Sequence, residues 1–249
     1  MLIVAAGAAA YFAFAWRTRP VPMSAAPAPT AAMKEPTRPL GGRAEPITVP
    51  PLDASDALVR TLVRALSQNS AVAAWLATDG LIRNFTVTVA NIADGATPAK
   101  HLKVLRPSSA FRIVERDGRA YVDPQSYNRY GAIAAAIAAV DPSGTARLYA
   151  TLKTRIEEAH RDLGSPDQSF DRTLERAIVT LLETPVVDSP VRLKPKGIGY
   201  AYDDERLESL TAAQKQLLRM GPRNIRIIKE RLRGIALALG IPSRHLPAE

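Results

Sequence analysis

Residues 210 to 233 read LTAAQKQLLRMGPRNIRIIKERLR, and no other stretch constrains the architecture as much. Thr211 and Gln214 have the T-x-x-Q spacing of a capping box, in which each side chain satisfies a backbone amide of the other residue. Gly221 suits the position just past a helix end, and Pro222 suits the first position of the next helix. Ile225, Ile228, Leu232, Ile235 and Leu239 then recur by three and four, the repeat of a helix face turned to a core. Two helices meeting at a tight corner therefore finish the chain. Basic residues crowd that corner. Lys215, Arg219 and Arg223 flank it, and Arg226, Lys229 and Arg233 fall on a face beside the apolar stripe.

The same stretch has a sharper reading. Helix-hairpin-helix DNA binders use G-h-G-P in the corner, so that backbone amides approach a phosphate. Here the match is Arg219-Met220-Gly221-Pro222, with Arg219 in place of the first glycine. Its side chain crowds that approach. A packed corner with Met220 turned inward is the expectation. Nucleic acid, or a lipid or protein surface, is the alternative use of the basic face.

Charge and composition narrow the field. The chain has 249 residues and a net charge of +9. Residues 52–210 carry 20 basic and 20 acidic side chains, whereas residues 211–240 carry 7 basic and 1 acidic. The basicity thus belongs to the last helices and to the segment before residue 52, not to the whole domain, which weakens a general case for nucleic acid. There is no cysteine, which excludes disulfides, thiolate metal sites and cysteine nucleophiles.

The first 16 residues, MLIVAAGAAAYFAFAW, are apolar or small throughout, and Arg17 and Arg19 follow. As a helix they cover roughly 24 Å, short of the ~30 Å hydrocarbon core. A signal peptide lacks its charged start here, and a buried soluble helix lacks a polar face. Residues 1–16 are therefore read as a transmembrane anchor, N-terminally incomplete, with Tyr11 and Trp16 at the interfaces. An upstream polar, basic segment is expected, and mass spectrometry of the native protein finding Met1 at its start would exclude it. Arg17 and Arg19 alone put the flank in the cytoplasm, and an upstream basic segment reverses that orientation. Residues 17–51 are rich in Pro and Ala and read as a disordered leash. A mostly helical globular domain is expected over 52–240, and a flexible tail over 241–249.

Within the domain, Asp53 and Asp56 read as helix-start acids, followed by Leu58, Val59, Leu62 and Leu66 at helical spacing. AVAAWLA is a second short helix. Asp79 is read as the cap of a third, with Ile82, Phe85, Val89 and Ile92 on one face and its end at Gly95. Asp117-Gly118 between two β-rich runs marks a two-residue hairpin. Asp141-Pro142 opens a long helix, and Phe170, Leu174, Ile178 and Leu181 mark the next. VRLKPKGIGYAY holds a strand or two. The class is mainly α, with a minor β-hairpin.

Several of these stretches together resemble a bacterial family known as domain of unknown function 3014. They are PLDASDALVR, LIRNFTVTVANIADG, HLKVLRP, YNRYGAI, LGSPDQSFD, LLETPVV and, most specifically, the stretch quoted first. The likeness spans about Leu52 to Gly234. It implies a single-pass protein of the bacterial inner membrane, with a Pro-rich spacer and a periplasmic domain. It implies no activity.

No catalytic, metal or cofactor motif stands out. Glu157-x-x-His160 has the spacing of carboxylate–histidine metal sites in bundles, but no second pair exists and a polar helix face is the simpler reading. His101 sits beside Lys100 and Lys103, and His245 in the tail. Asp203, Asp204 and Glu205 read as helix-start charges. Tyr127, Arg129 and Tyr130 in SYNRYGAI are the aromatic exception, since two tyrosines one turn apart beside an arginine suit a groove. The candidate interaction surface is therefore Lys215, Arg219, Arg223, Arg226, Lys229, Tyr127, Arg129 and Tyr130. The expected function is a tethered binding or scaffolding module, with an envelope protein or polymer as partner and no cofactor. The alternatives are a hydrolase assembled from scattered residues and, further off, a nucleic-acid binder. A cleft with two carboxylates, or a histidine and a carboxylate, would favour the hydrolase.

Overall fold

The computed structural model describes residues 39–103, 106–164, 168–197 and 199–248. The expected anchor and most of the leash lie outside the described residues. Among the described residues no helix is long and apolar enough to cross a membrane.

The helices arise where spacing and caps place them. α1 is Asp56–Leu66, α2 Ser70–Leu76 and α3 Leu81–Ala93. α4 is Gly131–Ala138, GAIAAAIA, which is apolar all round and sits between other elements, as such a helix must. α5, Pro142–Asp162, opens as expected: the Asp141 carboxylate accepts from Gly144 N at 2.6 Å and proline takes the first turn. α6 is Phe170–Leu182, α7 Glu205–Glu208, α8 Ala212–Leu218 and α9 Pro222–Leu239. The capping box of α8 is present, with Thr211 Oγ1 accepting from Gln214 N at 3.2 Å and Gln214 Oε1 accepting from Thr211 N at 3.1 Å.

The expected hairpin is half of a larger sheet. β1 (Ile113–Arg116) and β2 (Arg119–Val122) join through Asp117 and Gly118, at φ 51° and 67°, the two left-handed residues of a type I′ turn. β3 (Arg192–Lys196) pairs with β2, and β4 (Gly199–Tyr202) with β3, giving an antiparallel order β1-β2-β3-β4. A single minor hairpin is thus corrected to a four-stranded sheet. The β2–β3 ladder is only Ala120↔Leu193 and Tyr121↔Arg192, so Pro195 of β3 lies beyond it and costs no bond there. Alternation turns Val122, Leu193 and Tyr202 to one buried face.

That face belongs to one of two apolar clusters. It packs with α4, α8, Val191, Ile225 and Ile228. The other joins α1, α3, α5 and α6 with Ala236 and Leu239. α9 spans both, its first turns in one cluster and its last in the other, which is why its stripe runs so long.

The boundaries differ from those read in the sequence. Leu40, assigned to the leash, is buried, and its amide donates to Asp171 Oδ2 at 3.2 Å. Gly41 N donates to Leu239 O at 2.9 Å, Glu45 N to Thr151 Oγ1 at 3.0 Å, and Arg155 Nε to Pro50 O at 2.7 Å. Residues 40–50 are therefore a strap along α5. The tail also returns. Gly240, at φ 91°, lets Ile241 N reach Ala236 O at 3.0 Å, a Schellman end that buries Ile241, with Leu246 buried after it.

A second difference concerns a cap. Asp79, read as the cap of α3, has an exposed side chain, and Gly80 occupies the N-cap position. The amides of Gly80 and Leu81 donate instead to Asp56, at 2.7 and 2.9 Å, from the first turn of α1. A carboxylate 24 residues away thus ties α1 to the start of α3. Asp56→Ala is expected to destabilise the domain by about 1–2 kcal/mol, and Asp79→Ala by under about 0.5 kcal/mol. Urea unfolding of both variants reads the difference, and equal effects would exclude the cross-helix cap.

Candidate functional site

The corner quoted first is a packed one. Gly221 has φ 83° and ψ 162°, a conformation that belongs to glycine. A Cβ there would lie 2.3 Å from Cγ of Tyr127. Asn224 Nδ2 donates to Tyr127 O at 3.0 Å and to Met220 O at 2.8 Å, which clamps the corner to the 3-10 turn Pro124–Tyr130. The glycine thus makes room for a tyrosine ring, and that ring covers the turn.

The clamp builds one wall of a cleft of about 540 Å³. The 3-10 turn supplies Tyr127 and Arg129, α8 and its end supply Lys215, Leu218 and Arg219, and the sheet supplies Lys196, Tyr200 and Tyr202. Phe111 and Glu208 complete the polar and aromatic lining. Four basic side chains therefore face one acid, beside four aromatic rings. Tyr200 and Phe111 are exposed at 45% and 42%, so two rings of the lining are open to a ligand.

Glu208 organises the basic groups. Its carboxylate accepts from Lys196 Nζ at 3.0 Å and from Tyr202 N at 3.2 Å, and its carbonyl accepts from Lys215 Nζ at 2.8 Å. The Lys196 hydrogen bond holds its carboxyl below the usual range, so it stays ionised at neutral pH. Tyr202 is pushed up to about 12 by burial, with the Arg219 charge opposing, so its hydroxyl remains a neutral donor. Burial likewise raises Tyr127. Arg129 is fixed in place: Nε donates to Ser126 O at 2.8 Å, one guanidinium nitrogen donates to Ser109 O at 3.1 Å, and the group lies 5.6 Å from the Phe111 ring and 5.2 Å from that of Tyr130. Preset cations of this kind hold an anionic ligand with little ordering on binding.

Of the eight residues singled out in the sequence, the cleft gathers Tyr127, Arg129, Lys215 and Arg219. Tyr130 is buried. Arg223 is exposed outside the cleft, Arg226 pairs with Asp188, and Lys229 donates to Thr184 O at 3.0 Å. Burial and then Arg233 lower the Lys229 ammonium below the ordinary lysine range. The basic face of α9 is thus partly consumed by the fold. Sequence reasoning missed Lys196, Tyr200, Tyr202 and Glu208. Alternation along β4 puts Tyr200 and Tyr202 on one face, but the β3–β4 register puts Lys196 on the other, and Glu208 lies on α7, so no local pattern groups the four.

The remaining candidates have structural roles. Both oxygens of Glu157 accept from Phe170 N at 3.1 Å, capping α6. His160 is buried, edge-on to Phe170 at 5.3 Å, with Nε2 3.4 Å from Thr173 Oγ1. Asp203 pairs with Arg192 at 2.9 Å, and Asp204 caps α7. His101 is half-buried after a 3-10 turn, and His245 lies 2.7 Å from Glu175. Among the described residues no cluster of three His, Cys, Asp or Glu is placed to hold a metal. The cleft lining contains one carboxylate and no histidine, so the pair sought for acid–base hydrolysis is not in it.

The model of the family described as Protein of unknown function (DUF3014) matches residues 81–236 of the chain. No curated protein and no solved structure matches it.

Proposed function

The chain belongs to the DUF3014 family, and from that premise we propose that it is a binding module, tethered to the bacterial inner membrane, whose periplasmic domain holds an anionic envelope polymer in the basic aromatic cleft. One observation carries this reading. Arg129, Lys196, Lys215 and Arg219 come from three segments, the 3-10 turn, β3 and α8 with its end, to face a single acid, beside exposed Tyr200 and Phe111. Fixed cations take the acidic groups of the polymer, and the rings take its apolar faces. The covered corner at Gly221 leaves no open amide turn for a phosphate backbone, which favours an envelope polymer over nucleic acid. The tether rests on the apolar residues 1–16 and the spacer after them.

Two measurements test the proposal. Reporter fusions after Glu249, active only in the periplasm or only in the cytoplasm, test location, and a cytoplasmic result overturns it. Co-sedimentation of the full chain with purified cell-wall sacculi tests binding. Arg129→Ala with Arg219→Ala is expected to weaken it roughly tenfold to a hundredfold, and added salt to weaken it further. Equal sedimentation of the variant, or salt-independent sedimentation, overturns the cleft as the site.

A further inference from the structure

A second pocket, of about 520 Å³, shares no lining residue with the cleft. It lies among α1 to α6, α8 and α9, and Ala213, Gln216, Leu217 and Met220 turn towards it while Lys215, Leu218 and Arg219 line the cleft. Its lining has no charged side chain, and Ser67, Thr145, Tyr149 and Gln216 are its polar members. Trp75, Phe85, Ile137 and Met220 line it and are only partly buried. Large apolar side chains line a space that the described residues do not fill.

Chemistry selects the occupant. Water needs two to four polar partners, and the lining offers few. An extended peptide segment brings an amide and a carbonyl per residue, which this wall leaves without partners. A hydrocarbon chain has no polar groups to satisfy, and the volume falls among pockets for small apolar ligands. We infer that the domain binds a single-chain lipid, a fatty acid, with its hydrocarbon tail in this pocket and its head group at the rim. The site is independent of the cleft, and either stands without the other.

Trp75 reports on the pocket. The full chain has two tryptophans, Trp16 and Trp75, so Trp16→Phe leaves Trp75 as the single fluorophore. That protein is titrated with terminally brominated dodecanoic acid, below its micelle concentration. Saturable quenching is expected, and the unbrominated acid is expected to raise Tm, because a ligand that binds only the folded state stabilises it. Ala136 is a buried lining residue. Ala136→Phe fills the pocket and is expected to raise the quenching midpoint roughly tenfold or more, while Arg219→Ala leaves it unchanged. Val63→Phe, at a partly buried lining position, serves if Ala136→Phe does not fold. Absent quenching, equal midpoints with the pocket open and filled, or loss of quenching in Arg219→Ala overturns the inference.

Discussion

Phe170→Ala is expected to destabilise the domain by about 3–5 kcal/mol, the range for a fully buried aromatic whose space cannot collapse. Phe170 is 0% exposed at the first residue of α6. Its ring lies 5.8 Å from that of Phe85, 6.3 Å from Tyr149 and 5.3 Å from His160, so α3 and α5 both lose a partner with it. The surrounding polar groups resist relaxation. Glu157 holds the Phe170 amide, and the neighbouring Asp171 accepts from Tyr149 Oη at 2.6 Å and from Lys153 Nζ at 2.5 Å. Equilibrium denaturation with guanidinium measures the loss, and Phe170→Leu is expected to lose less than half as much. A loss under about 1 kcal/mol would mean that the cluster closes over the gap.

Gly221→Ala is expected to cost about 3 kcal/mol or more, because two effects act together. The backbone conformation is one that side chains rarely adopt, and the new Cβ would fall 2.3–2.7 Å from three atoms of the Tyr127 ring. The ring cannot yield easily, since Asn224 holds the Tyr127 carbonyl at 3.0 Å. Tyr127→Ala relieves the steric part and leaves the backbone part. The double variant is therefore expected to recover about 1 kcal/mol or more relative to additivity. Additive losses would show that ring and glycine are not in conflict. Binding to sacculi adds a second readout, because a displaced Tyr127 removes a wall of the cleft while Arg219 stays exposed.

These two sites mark how legible the chain is. The corner at Gly221 was readable as a helix junction, since a glycine before a proline between two apolar repeats has few other uses. Why glycine was needed was not readable, because the ring that requires it lies at Tyr127. Asp56 and Asp79 make the same point from the other side. Asp56 looks like a first-turn acid of its own helix and Asp79 like a cap, yet Asp56 caps a helix that begins at Leu81 and Asp79 caps nothing. The strap at Leu40 was hidden by its composition, because Pro and Ala describe an extended backbone equally well in a leash and in a groove. Four of the nine charged and aromatic residues of the cleft, Tyr127, Arg129, Lys215 and Arg219, were visible, but as separate local oddities.

Legible in the chain alone is everything whose energy closes within a turn or two: the apolar stripe of α9, the Thr211–Gln214 box, the Asp141-Pro142 start, and the Asp117-Gly118 hairpin. Caps, glycine conformations and side-chain periods are set by neighbours a few residues away, so a linear reading reaches them. Which of these pieces meet is settled by long-range packing. The Ala120↔Leu193 pairing that turns a hairpin into a sheet, the Glu208 carboxylate between Lys196 and the Tyr202 amide, and the apolar pocket beneath α8 all depend on distant segments. Their gain appears only after long loops have closed, and no local pattern records that closure.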